Sequence, residues 1–94
     1  MTTLTNVFAE HADTTEVIYD GAANLAGYQA LAGGTAGEIV FRDGGSGGTV
    51  RLRINIPANT NNPFANIIPG NGIRFYTNIH VTLPTAAAIT IFCG

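Results

Sequence analysis

Two histidines and a nearby carboxylate are the side chains of this sequence that could begin a metal site. His11 and Asp13 are two residues apart, so a strand would place both on one side, and His80 could add a third ligand. Functional zinc sites need three or four ligands and supporting residues around them. Because no further ligands cluster with these three, we interpret the histidines as surface or interface residues. The sequence predicts no metal and no cofactor.

The candidate nucleophiles stand in positions that do not suit catalysis. Cys93 continues the alternation of Ile89 and Ile91, which predicts a buried thiol. Ser46 lies in a glycine run that lacks the lysine and the following helix of a phosphate loop, and we interpret that run as a flexible hairpin tip. The six carboxylates form no pair spaced like those of glycosidases. We therefore predict that the protein is not an enzyme and has no catalytic residues.

Composition restricts the class of protein further. The chain has 94 residues, which predicts a single domain over residues 1–94. A net charge of −2 argues against binding to nucleic acid, and no apolar run reaches the roughly 18 residues of a membrane span. Only 11% of residues are charged, against about 25% in ordinary soluble domains. Either much of the surface packs against copies or partners, or the chain is a compact, neutral domain without a large interface.

Apolar and polar residues alternate along most of the chain. Alternation of period two predicts strands over residues 5–11, 16–20, 38–42, 50–56, 73–76, 78–83 and 89–93. Two alanine-containing segments, 7–12 and 22–26, are too short for stable helices. Glycine and proline turn signals recur about every 10 residues. The pattern predicts an all-β fold of about eight strands, an antiparallel, jelly-roll-like β-sandwich.

Ten inward-facing residues of these strands are expected to form the core. They are Ile39, Phe41, Leu52, Ile54, Ile73, Phe75, Ile79, Val81, Ile89 and Ile91. A core of this size leaves a small domain marginally stable. With no disulfide and no metal, oligomerisation is the remaining source of stabilisation, and we predict a homo-oligomer, with a trimer favoured.

All four cations are arginines, and three of them follow the turn at residues 44–48. Arg51, Arg53 and Arg74 lie on the polar faces of predicted strands, and arginine suits partly desolvated ion pairs at interfaces. Six carboxylates and Arg42 give residues 1–43 a net charge of −5, and the remainder carries +3. Two interpretations stay open: cross-strand pairing within the chain, and charge-matched contact between subunits.

The first twelve residues have the weakest strand pattern. Their apolar residues, Leu4, Val7 and Phe8, belong either to an exchanged or docked N-terminal arm or to an ordinary first strand of the sandwich. The predicted interface residues are therefore Leu4, Val7, Phe8, Arg51, Arg53, Arg74 and Tyr76.

Four segments carry a resemblance to a known type of protein. They are residues 38–45 (EIVFRDGG), 52–57, 68–75 (IPGNGIRF) and 89–94 (ITIFCG). In these segments the chain resembles small β-rich structural proteins of tailed bacteriophages, especially marine and cyanobacterial ones, in which an aromatic residue often stands at the position of Cys93. The resemblance covers roughly 60 residues and implies no catalytic residues.

The resemblance implies a virion structural role, as a capsid decoration, cement or fibre-associated protein. The expected partners are the major capsid protein or other virion proteins. The expected location is the capsid surface of the virion, after synthesis in the cytoplasm of the bacterial host. The alternative is a fibre- or tail-associated module whose loops at residues 43–48 and 57–63 recognise glycans of the host surface.

Overall fold

A computed structural model describes residues 8–31, 36–56, 64–68, 70, 72–84 and 86–94. Within these ranges the chain forms nine strands and no helix. The strands are β1 (Phe8–Ala12), β2 (Glu16–Tyr19), β3 (Ala23–Leu31), β4 (Gly37–Asp43), β5 (Thr49–Ile56), β6 (Phe64–Ile67), β7 (Ile73–Phe75), β8 (Ile79–Thr82) and β9 (Ala88–Cys93).

The strands form two antiparallel sheets. The first sheet has the order β1-β9-β3-β6, with β7 also paired to β3, and the second has the order β2-β8-β4-β5. The pairing is nested: β1 pairs with β9, β2 with β8, β3 with β6, and β4 with β5. The predicted all-β antiparallel sandwich is confirmed.

Side chains from both sheets form one hydrophobic core. Its largest fully buried members come from β3, β4, β7, β8 and β9: Phe41, Phe75, Leu25, Ile39, Ile79, Ile89, Ile91, Val81 and Cys93. Eight of the ten predicted core residues are buried, and the other two, Leu52 and Ile73, are partly buried and pack against the same cluster. Period-two alternation therefore identified the inward faces of β4, β5, β7, β8 and β9.

Strand β3 was not among the predicted strands, although it is the longest and pairs with three others. Its buried residues begin as Ala23 and Leu25 and continue as Tyr28 and Ala30, so they change from odd to even positions. The register against β9 shifts between Leu25 and Gly27, where a bulge inserts one residue. The bulge breaks the alternation, and small residues weaken what remains of the pattern.

The segment at the start of the chain forms an ordinary first strand from Phe8 onwards. Strand β1 pairs with β9 in continuous register, from Phe8 opposite Cys93 to Ala12 opposite Ile89. Leu4 and Val7 lie outside the described residues. The same holds for the polar loop at residues 57–63.

Glycine 27 marks a close approach of three strands, and it provides a test of the packing. A Cβ at Gly27 would lie 2.9 Å from the backbone oxygen of Asn66 and 3.5 Å from the Phe92 ring, whereas Gly47 has nothing within 4 Å. Gly27→Ala should lower the free energy of unfolding by about 1–3 kcal/mol, because backbone cannot move aside cheaply. Gly47→Ala, the matched control, should change it by less than about 1 kcal/mol. Urea denaturation of both variants measures the difference, and equal values would contradict the close approach.

Candidate contact site around Tyr76

A buried carboxylate organises one end of the sandwich. Asp43 is the last residue of β4, and its side chain is only 5% exposed. Its Oδ2 accepts a hydrogen bond from the backbone N–H of Tyr76 at 2.8 Å, and its Oδ1 accepts one from Thr77 N–H, also at 2.8 Å. Arg51 on β5 donates to Oδ2 at 3.3 Å. One side chain thus links β4, β5 and the segment that follows β7.

These donors keep Asp43 ionised. The hydrogen bond from the Tyr76 amide is the main reason that the pKa of Asp43 is lowered from its usual value of 3.8. Burial acts in the opposite direction, and the bonds from Thr77, Arg51 and Asn78 lower the pKa further. A carboxylate that accepts several N–H bonds is stabilised in its charged form. Asp43 is therefore a fixed negative charge beneath the surface.

Tyr76 lies above this carboxylate as an exposed aromatic platform. Tyr76 is 67% exposed. The guanidinium carbon of Arg51 lies 5.6 Å from the ring centroid, and that of Arg74 lies 5.7 Å from it. Both distances are within the range of cation–π attraction. We call Asp43, Arg51, Arg74 and Tyr76 the Tyr76 cluster.

The neighbouring turn is fixed to the same end of the molecule. The side-chain oxygen of Asn78 accepts hydrogen bonds from the backbone N–H groups of Gly44, at 3.2 Å, and Gly45, at 3.0 Å. Gly44 and Gly45 have φ angles of 106° and 86°, which favour glycine. A side chain at Gly48 would overlap the backbone of Asp43. The glycine run predicted to be a flexible hairpin tip is tied to the Tyr76 cluster through Asn78.

Arg53 makes a separate ion pair on the outer face of the second sheet. Its Nη1 lies 3.0 Å from Oε1 of Glu38 on β4, and the two side chains are 57% and 37% exposed. Exposed pairs of this kind contribute at most about 1 kcal/mol to stability. The pair of Arg51 and Asp43 likewise joins β5 to β4. Both contacts are cross-strand pairs within the chain, which was one of the two interpretations of the arginines.

The structure brings three of the predicted interface residues together, and the other two that it describes, Arg53 and Phe8, lie elsewhere. Arg51, Arg74 and Tyr76 belong to one cluster, although they come from β5, from β7 and from the residue after β7. Arg53 lies two residues further along β5, and Phe8 begins β1. The roles of Asp43 and Asn78 were not predicted from the sequence. Their signal was the position beside tight turns, where Asp and Asn side chains often accept backbone hydrogen bonds.

The two histidines occupy different sheets, and one of them differs from the prediction. His11 on β1 is exposed, and its Nδ1 lies 3.0 Å from the hydroxyl oxygen of Thr90. His80 on β8 is only 6% exposed, so it is not the surface or interface residue that we predicted. Strand β8 pairs with β2 along one edge and with β4 along the other, so it is a central strand of its sheet. Among the described residues, no group of three or more His, Cys, Asp and Glu residues could hold a metal ion.

Cys93 is a buried thiol, as predicted. It is fully buried in the core, and burial, with a smaller contribution from Glu10, raises its pKa to about 11. The thiol therefore stays protonated at neutral pH, which is the unreactive form.

A shallow groove of about 220 Å³ lies at the opposite end of the first sheet. Its lining includes His11, Gln29, Leu31 and Thr90, and the remaining residues are apolar. Among the described residues that line the groove, His11 is the one titratable side chain, so these residues supply no acid and base pair.

Comparison with known proteins does not assign the chain to a family. No family model matches it, and neither the curated proteins nor the solved structures include a match. In the part of the chain that the structure describes, no helix has the length and apolar character needed to cross a bilayer.

Substitution of Asp43 tests its role in holding the cluster. Asp43→Asn should lower the melting temperature more than Glu38→Gln, because the Glu38 pair is exposed and Asp43 serves three donors. Since the folded pKa of Asp43 is lowered, its contribution is complete above pH 3.8 and is lost as the pH falls through the folded value. Thermal melts of both variants at neutral and acidic pH make the comparison. Equal melting temperatures would contradict this role for Asp43.

The burial of His80 predicts a second dependence of stability on pH. Burial, and secondarily the charge of Arg42, lowers the pKa of His80 from 6.5, and its Nδ1 is buried without a hydrogen-bond partner among the described residues. The unfolded chain therefore binds this proton more readily, so stability should fall as the pH drops below 6.5, by at most about 1.4 kcal/mol per pH unit. His80→Gln should remove this loss, and His11→Gln should retain it. Urea denaturation at several pH values tests this, and a loss that survives in His80→Gln excludes His80 as its source.

Proposed function

We propose that this protein is a virion structural protein, a capsid decoration or cement protein that stabilises a phage head through contacts between subunits. In this proposal it is made in the cytoplasm of the bacterial host and is located on the capsid surface. Its partners are the major capsid protein or other virion proteins, and it acts as a homotrimer. The resemblance of residues 38–45, 52–57, 68–75 and 89–94 to phage proteins supports this assignment.

The observation that carries the proposal is the Tyr76 cluster. Tyr76 is 67% exposed and has guanidinium groups within 6 Å of its ring. Tyrosine and arginine are the residue types most enriched at the energetic centres of protein interfaces. Asp43 fixes the Tyr76 backbone and one of the two arginines, so little order has to be gained on binding. These are the properties of a preorganised surface for protein contact.

The alternative, a module that binds host-surface glycans, also has a specific observation in its favour. Tyr76 is an exposed aromatic beside the turn at residues 44–48, and it could stack against a sugar ring. A glycan site also needs polar groups aimed at the ligand. Both oxygens of Asp43 already accept hydrogen bonds from the protein, so this carboxylate is not directed at a ligand. The cluster therefore favours protein contact over glycan binding.

Quantitative mass spectrometry of purified particles of the phage that encodes the chain tests the proposal. The native protein should be present in many copies, and Tyr76→Ala should lower its occupancy about tenfold or more, since truncation of a central aromatic removes much of the binding free energy. Ile67→Ala is the matched control, because Ile67 is 87% exposed on β6 and lies outside the cluster. Its occupancy should equal that of the native protein.

Absence from the particle, or a few copies only, would contradict the cement role. A glycan array then decides the alternative: binding that Tyr76→Ala abolishes and Ile67→Ala retains would support a glycan-binding module.

A further inference from the structure

The strand order separates the charges of the chain onto two opposite sides of the sandwich. Strands β1 and β2 are edge strands of the two sheets and lie against each other on one side. Strand β5 is the other edge of the second sheet, and β7 lies beside β3 toward the far edge of the first sheet. The contact of Arg51 with Tyr76 shows that β5 and the end of β7 meet on the same side.

The first of these sides is acidic. It carries four carboxylates on β1, β2 and the residues that follow each of them: Glu10, Asp13, Glu16 and Asp20. Asp13, Glu16 and Asp20 are exposed, and Glu10 is partly buried. In the described ranges, none of these four carboxylates lies within ion-pair distance of a cation. We call this side the acidic edge.

The opposite side carries three of the four arginines. Arg51 and Arg53 lie on β5, and Arg74 lies on β7. The paired carboxylates of this side, Asp43 and Glu38, neutralise two of them in part, yet the side chains of Arg51 and Arg53 remain 35% and 57% exposed. Arg74 contacts the side-chain oxygen of Asn24 at 3.4 Å and meets no carboxylate among the described residues. We call this side the arginine edge.

Strand directions are compatible with contact between the two edges. Every neighbouring pair in the four-stranded sheet β2-β8-β4-β5 is antiparallel, so β2 and β5 run in opposite directions. A second copy displaced sideways would therefore bring its β2 alongside β5 in antiparallel orientation. Edge strands present unpaired backbone groups that such a neighbour can approach.

We propose that copies of this chain associate head to tail, with the acidic edge of one copy against the arginine edge of the next. Four carboxylates without cations face three exposed arginines, so charge complementarity selects the contact and its orientation. A contact between unlike surfaces closes into a ring when its rotation permits. The inference rests on the homo-oligomer of the proposed function and names the surfaces that build it.

Charge reversal of each edge tests this contact. One variant carries Asp13→Arg, Glu16→Arg and Asp20→Arg, and another carries Arg53→Glu with Arg74→Glu. Each places like charges at the contact, so each should weaken self-association about a hundredfold, measured by sedimentation and light scattering at low salt. Raising the salt to roughly 1 M should weaken association of the native chain, because the screening length falls to about 3 Å.

The chain that carries all five substitutions is the control for folding. It contains every changed residue and its net charge of 0 is close to the −2 of the native chain, but both edges are reversed together. Its edges are complementary again, so its association should return to within about tenfold of native. A mixture of the two single-edge variants should also associate, since one presents two positive edges and the other two negative edges.

Two results would overturn the contact: single-edge variants that associate like the native chain, or a native chain that stays monomeric at all concentrations tested. A combined variant that is folded by circular dichroism yet fails to associate would overturn it as well. These measurements use the isolated protein. They are therefore separate from occupancy on phage particles, and a failure of one leaves the other result intact.

Discussion

The carboxylate of Asp43 is the contact on which one end of this sandwich depends. It lies at the end of β4, in the second sheet, and accepts the backbone N–H groups of Tyr76 and Thr77, which follow β7 of the first sheet. A buried carboxylate needs several donors to remain charged. Two of these donors, the backbone N–H groups of Tyr76 and Thr77, belong to the segment that leads from β7 of the first sheet to β8 of the second, so one anion fixes the point where the chain passes between the sheets. The hydrogen bond from the Tyr76 N–H to Asp43 also fixes the position of the exposed Tyr76 side chain.

Much of the fold could be predicted from the sequence because half-buried strands alternate. Strands β4, β5, β8 and β9 have one face in the core, so their apolar residues recur at every second position. Strand β3 could not be recognised in this way, since the bulge between Leu25 and Gly27 moves its buried side chains to the other phase. The large apolar residues of strand β6, Phe64 and Ile67, are three positions apart, which does not fit a period of two. The burial of His80 was not predicted for a related reason. Whether an outward-facing residue is buried depends on the neighbouring strands, and the alternation within one strand carries no information about those neighbours.

The types of residue that form the candidate site could be predicted from the sequence, but the fact that these residues meet could not. Arginine on strand faces and an exposed tyrosine pointed to contact surfaces, and three of these residues meet in the Tyr76 cluster. Their sequence separation is 23 residues between Arg51 and Arg74. Only the topology, which sets β5 beside the end of β7, brings them together. Asp43 lies beside a turn motif, and its backbone hydrogen-bond donors, Tyr76 and Thr77, are more than 30 residues away in the sequence.

Low charge gives each remaining charge a larger share of the surface potential. The chain has ten charged side chains, and two ion pairs on β4 and β5 account for four of them. Paired charges largely cancel at a distance, whereas the four carboxylates of the acidic edge and the guanidinium of Arg74 do not. Because the first strands are acidic and the later strands carry arginine, the nested pairing converts an imbalance along the sequence into a dipole across the sheets. Such a dipole orients an approaching molecule before contact, so few charges suffice to direct association while the neutral surface supplies the contact area.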